Sequence, residues 1–195
     1  MVLSFEHISS LLSVQPPEEP LEDDSGIPAA VAMILRQANN DLEILFIERA
    51  AHENDPWSGN LAFPGGKVEQ GEELRQTAER ETFEEIGLDL GGAAYLGRLS
   101  DIAGANLPVR VSCFVYGMPG TDFVPVLNDE VGDLFWIGLD DLLAAERHIT
   151  TTVTFADKEF EVPAIRLPQP VKPMLWGLTY RLVMEFLELH KQSQQ

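Results

Sequence analysis

Cysteine is almost missing from this chain, with only Cys113 among 195 residues. A disulfide framework is therefore excluded, and so is a zinc site built on several thiolates. Basic residues are scarce as well. Thirteen Lys and Arg stand against 32 Asp and Glu, giving a formal net charge of −19. Polymeric nucleic acid is held by Lys and Arg at its phosphates, so no such partner is expected. No apolar run is long enough to span a bilayer, and no membrane partner is expected. The first residues lack the basic region and apolar core of a secretory leader, and the cytoplasm is the expected location. Internal repeats are absent too.

What remains has ordinary globular proportions, with 45% hydrophobic and 23% charged residues. The length suits one domain with a real core. Cys113 falls in the apolar run 111–116 and reads as a buried thiol. The acidity sets a condition on any phosphorylated ligand. The global field repels it, so positive charge has to be supplied locally, and bound cations can do that.

Along the chain, residues 2–14 have the apolar spacing of a short amphipathic helix. QPPEEPLEDDSG follows, with three prolines and five acids, and reads as an extended arm. The division expected is 1–26 for helix and arm and 27–195 for a single domain. Residues 27–37 and 42–48 read as a hairpin turning at Asn39-Asn40, and 50–62 as a loop. Strands are expected at 93–100, 109–116, 123–127 and 135–137, with a loop between the first two. A helix at 139–145 and a hairpin at 152–162 come next, then a C-terminal helix over 174–190. This order implies a mixed sheet packed between helices.

The most informative stretch is FPGGKVEQGEELRQTAERETFEEIGL, residues 63–88. At about 100° per residue, Glu81 and Glu85 share one side of a helix, with Glu84 at its edge. Leu74, Ala78 and Ile86 fall on or beside that same side. Carboxylates inside an apolar stripe cost several kcal/mol each unless paired or metal-bound. Acids at i, i+3 and i+4 also repel one another. A hard divalent cation with oxygen ligands removes both penalties. Arg80 is placed to pair with one of the acids. A merely solvated acidic face would explain neither the apolar neighbours nor the glycine turn before the helix. Glu72 and Glu73 fall in the expected first turn, where acids complement the helix dipole. Gly87 suits the left-handed residue that closes a helix.

The spacing from Gly66 through Glu72, Arg80, Glu81, Glu84 and Glu85 to Gly87 is G-x5-E-x7-R-E-x2-E-E-x-G. It resembles the signature of the Nudix hydrolases, with every charged and glycine position filled. Thr82 stands where the family usually has an aliphatic residue. The resemblance implies an α/β fold, an α/β/α sandwich with a mixed β-sheet between helices. It implies metal-dependent cleavage of the diphosphate linkage in a nucleoside diphosphate derivative. Mg²⁺ or Mn²⁺ would be held by Glu81, Glu84, Glu85 and the carbonyl of Gly66, with Arg80 orienting the carboxylates. The base that handles the water would be a helix glutamate such as Glu84, or Glu130. Many family members place an extra glutamate where Glu130 stands; otherwise it is an exposed loop acid.

A finer resemblance lies outside that stretch. Arg49-Ala50, Trp57-Ser58-Gly59, Phe63-Pro64-Gly65-Gly66, Asn128-Asp129-Glu130-Val131, Phe135-Trp136-Ile137 and Trp176-Gly177-Leu178-Thr179 look similar to the coenzyme A pyrophosphatase branch. That branch carries a second arginine in the loop after Arg-Ala. Here the loop reads His52-Glu53-Asn54-Asp55. Coenzyme A or an acyl-CoA is the implied substrate. Arg49, Trp57 and Lys67 are the candidate substrate contacts, with Arg98 and Arg110 as further basic residues. The alternatives are a pyrophosphatase acting on ADP-ribose, NDP-sugars or nucleoside triphosphates, and a non-catalytic Nudix-like ligand sensor. A calcium-binding or acidic interaction protein would leave the glycine-to-helix spacing unexplained. The partner expected is a small molecule, with the chain a monomer or a homodimer.

Overall fold

The computed structural model describes residues 4–14, 26–38, 41–51, 57–104, 108–120, 123–155, 158–169 and 171–192. The turn expected at Asn39-Asn40 and the loop segment 52–55 lie outside them.

Helix α1 (Phe5–Val14) is followed by the long strands β1 (Ile27–Ala38) and β2 (Asp41–Arg49). Two short strands, β3 (Leu61–Ala62) and β4 (Gly65–Lys67), lead into helix α2 (Leu74–Ile86). Strands β5 (Ala94–Arg98), β6 (Ile102–Ala103), β7 (Val109–Gly117) and β8 (Val131–Gly138) come next. Helix α3 (Leu139–Leu143) precedes the hairpin β9 (His148–Phe155) and β10 (Lys158–Ile165). Strand β11 (Leu175–Trp176) and helix α4 (Gly177–Gln192) end the described chain.

The main sheet runs β3-β2-β1-β7-β5, with β4 on β1, β6 on β7 and β8 on β2. It is mixed because β1 and β7 pair in parallel, from Ile27↔Val109 to Leu35↔Gly117, while their other neighbours are antiparallel. β1 is apolar nearly throughout because both its faces are covered. Its Ala30, Ala32 and Ile34 pack in one core with Ala78 and Ile86 of α2. Its Met33 and Leu35 belong to the other core, with Ile8 and Leu12 of α1 and Leu182 and Phe186 of α4. The period of two in a strand thus sets α2 on one face and α1 and α4 on the other. The expected sandwich is the observed architecture. A separate antiparallel sheet, β11-β10-β9, adjoins it. Cys113 is fully buried in β7. Among the described residues no helix is long and apolar enough to cross a membrane.

Three expected elements differ. Residues 123–127 form no strand. Pro125 has no N–H for a ladder. The neighbouring groups instead cap α2: Val126 N–H donates to Ile86 O at 2.9 Å and Asn128 N–H to Glu85 O at 3.0 Å. The helix-end carbonyls, which lack intrahelical donors, are satisfied this way. The C-terminal helix begins at Gly177, because Leu175 and Trp176 pair with Ile165 and Ala164 of β10. Finally, Leu61 and Ala62, expected within a loop, pair with Glu48 and Ile47 of β2.

Candidate active site

The site is built where β4 passes the middle of α2. Gly65 and Gly66 pair with Val31 and Ala30 of β1. Gly65 has φ +155°, and a Cβ there would lie 2.3 Å from Ala30 O and 2.6 Å from Val31 Cα. Both are backbone atoms, so only glycine fits. At Gly66 a Cβ would come within 2.3 Å of Glu81 Oε1. The missing side chain is the room the carboxylate occupies. Gly65 N–H donates to Glu85 Oε2 at 2.9 Å. The glycine turn is thus fitted to two helix acids at once.

Helix α2 starts at Leu74, after both acids expected in its first turn. Glu73 is its N-cap, with its own N–H donating to Gln76 Oε1 at 3.1 Å. Glu72 lies outside the helix and has a different role. Its carboxylate accepts from Arg80 Nε at 2.8 Å and Nη2 at 3.1 Å, and from the Thr77 hydroxyl at 2.7 Å. Arg80 foremost holds Glu72 down to a pKa of about 2. The same guanidinium donates to Glu81 Oε1 at 2.9 Å and Glu84 Oε2 at 3.0 Å. Arg80 therefore grips three acids rather than the one expected. Gly87 closes the helix at φ +73°, its N–H on Phe83 O.

Glu85 is 2% exposed. Burial pushes its pKa up to about 8, against the Gly65 N–H and the Arg49 charge, which pull it down. Glu81 is also raised, chiefly by burial and against Arg80. The charge of Glu130 bears on both, so that loop acid belongs to the same cluster. Its side chain is exposed, its N–H donates to Asn128 Oδ1 at 2.9 Å, and its carbonyl accepts from Ala50 N–H at 2.8 Å. Glu84 stands at the rim, with its side chain 53% exposed.

Among the described residues no three Asp, Glu, His or Cys side chains form a ready-made metal cage, and Arg80 takes oxygens of Glu81 and Glu84. The donor set nonetheless suits a hard cation. It is all oxygen, two of its acids are raised by burial, and the Glu81 carboxylate lies directly against the Gly66 backbone. Glu81, Glu84, Glu85 and the Gly66 carbonyl are the groups available to hold one.

The candidate substrate contacts divide. Arg49 and Trp57 line a pocket of about 250 Å³ that reaches Gly65. Lys67 is exposed on β4, and its carbonyl accepts from Arg80 Nη2 at 3.4 Å. Arg98 and Arg110 are engaged with Asp101, whose side chain is 4% exposed and also accepts from the Ser112 hydroxyl at 2.7 Å. Sequence reasoning gave Thr77 and Lys172 no part. Lys172 donates to Glu48 at 2.8 Å and to Asp133, and lies over the Phe135 ring. It ties the segment leading to Trp176 to the end of β2, beside Arg49. A lone Lys after a proline-rich stretch carries no signal of that.

The NUDIX domain model matches residues 26–156, more than half of the chain. Nudix hydrolase 3 of Caenorhabditis elegans is 26% identical over 169 residues, covering 81% of this chain and 70% of its own. An uncharacterized protein of Schizosaccharomyces pombe is 34% identical over 111 residues, covering 53% of this chain. The match spans only 34% of that yeast protein's length. Among solved structures, a MutT/nudix family protein from Enterococcus faecalis superposes with a TM-score of 0.56 at 16% identity, over 97% of this chain and 70% of that one. Signature and family match agree, and the chain belongs to the Nudix domain family.

Proposed function

We propose that this chain hydrolyses the diphosphate linkage of coenzyme A or an acyl-CoA, using Mg²⁺ or Mn²⁺ held by Glu81, Glu84, Glu85 and the carbonyl of Gly66. The observation that carries the chemistry is Glu85. A carboxyl 2% exposed, raised to about 8 and facing a second raised acid is costly without a cation. A bound cation supplies charge neutralisation at the phosphate oxygens. Arg80 fixes the positions of Glu81 and Glu84 from one side, anchored by Glu72. Glu130 lies outside the grip of Arg80 and is assigned the proton of the attacking water. Water adds to one phosphorus, the bridging P–O bond breaks, and the departing phosphate leaves as the anion.

The choice of coenzyme A rests on convergence. Arg49, Trp57, Phe63, Gly65, Trp176 and Leu178 come from separate sequence blocks that look like that branch, and they line one pocket. The test is product analysis over coenzyme A, ADP-ribose, NADH, dinucleoside polyphosphates and nucleoside triphosphates with Mg²⁺. Coenzyme A should split into a phosphopantetheine and an adenosine bisphosphate. A clear preference for another diphosphate would remove the substrate assignment and leave the chemistry. Folded Glu84→Gln should lose roughly two or more orders of magnitude in kcat. Normal turnover in it would end the metal assignment. Glu130→Gln should lose at least about tenfold, the lower end of general-base contributions being larger still. A smaller loss would make Glu130 a surface acid.

A further inference from the structure

The pocket beside Gly65 has a chemistry of its own. Val31 of β1, Val109 and Val111 of β7, Leu61 of β3, and Leu178 and Leu182 of α4 make an aliphatic floor. β1 and β7 are in parallel register here, Ala29 opposite Val111, so alternate side chains point to the same face. The volume of about 250 Å³ is the room of roughly eight water molecules.

Two donors at its wall are taken up by the wall itself. Trp176 Nε1–H donates to Asn60 Oδ1 at 3.2 Å, and the Thr179 hydroxyl donates to Leu61 O at 3.0 Å. Neither hydrogen is offered to a guest. Trp57 lies with its ring centroid 6.3 Å from that of Trp176, at 39°. That is already a ring-to-ring contact, with no slot for a third ring between them. A nucleobase entering this recess would give up water at its ring nitrogens and exocyclic groups for few replacements. An alkyl group would give up none and would gain by leaving water. Arg49 and Gly65 also line the pocket, and Gly65 N–H donates to Glu85.

We infer that this pocket is the subsite for an aliphatic, uncharged arm attached to the diphosphate, and that it selects substrates by apolar contact and not by reading a base. The inference rests on the proposed diphosphate chemistry and narrows its substrate class. The nucleoside half of the substrate then lies outside the pocket, and the arm that enters leaves water beside Trp57 and Trp176.

The test is a homologous series of ADP esters, methyl, propyl and pentyl, beside diadenosine diphosphate. Binding is read by indole emission with Ca²⁺ in place of Mg²⁺, so that the diphosphate charge is met without turnover, and hydrolysis is read separately with Mg²⁺. Affinity should rise by about fourfold per added methylene. Diadenosine diphosphate should bind more weakly than the pentyl ester. Leu178→Asn and Val109→Thr, both at partly exposed positions, should each flatten the dependence on chain length. Equal affinity along the series would overturn the inference, as would no binding, preference for diadenosine diphosphate, or an unchanged slope in both variants. A steep slope without any hydrolysis would keep the pocket and discard the proposed activity. A flat slope with Mg²⁺-dependent hydrolysis of every ester would discard the pocket alone.

Discussion

Arg80 is the residue on which the acid cluster turns. Its planar fork reaches Glu72, Glu81 and Glu84 together, which the single ammonium of lysine does not reproduce. Arg80→Lys should therefore keep the fold and lower kcat by roughly 10- to 100-fold, the usual cost of losing a group that orients ligands. Steady-state kinetics beside a circular dichroism melt check this; wild-type kcat in the variant would mean that the acids need no such support. Much of this was legible in the sequence. The spacing marked Glu81, Glu84, Glu85 and Arg80 because helical geometry follows directly from it. Glu72 was misread as a dipole partner because nothing local says that α2 starts after Glu73. Thr82 shows the reverse case. It is fully buried where an aliphatic residue was expected, yet its hydroxyl donates to Ala78 O at 2.6 Å, so no polar group is orphaned.

At the scale of elements, β4 and α2 meet through two glycines that are required for different reasons. At Gly65 an added methyl would strike the backbone of β1. At Gly66 it would strike only the end of a flexible carboxylate. Gly65→Ala should accordingly lose about 2 kcal/mol or more of stability. Gly66→Ala should melt near the wild type while activity collapses, since Glu81 is displaced. Thermal melts and turnover on the two variants separate these outcomes; matching melts would contradict the packing argument. The long strands and α2 were readable from apolar pattern and glycine punctuation. The short pieces were not, because β3 and β11 are two residues each and owe their pairing to partners far away in sequence. The Trp57–Trp176 contact was hidden for the same reason. Both tryptophans were visible, but the turn at Gly177 that places Leu175 and Trp176 on β10 instead of α4 was not.

For the whole molecule, a net charge of −19 is compatible with anionic substrates only if local charge prevails. The two ends of the acid cluster respond to pH in opposite directions. Glu72 is held at about 2, below its ordinary 4.5, so it stabilises the fold above about pH 4.5 and ceases to do so as pH falls through about 2. Glu85 is raised to about 8, so the metal-free fold loses stability as pH climbs from about 4.5 through about 8. A cation relieves that loss, because it favours the ionised acid. The gain in Tm on adding saturating Mg²⁺ should therefore grow between about pH 6 and about pH 9. A gain that is the same at both values would mean that Glu85 does not face the ion.

The acids of α2, held against Gly65 and Gly66, are proposed to make this chain a metal-dependent diphosphatase. The decisive measurement is product analysis of coenzyme A incubated with Mg²⁺ and folded enzyme, wild type beside Glu85→Gln. The wild type should release a phosphopantetheine and an adenosine bisphosphate and should stop when the metal is chelated, while Glu85→Gln should release almost none. Equal product from the two proteins, or cleavage that survives chelation, would contradict that role for the acids.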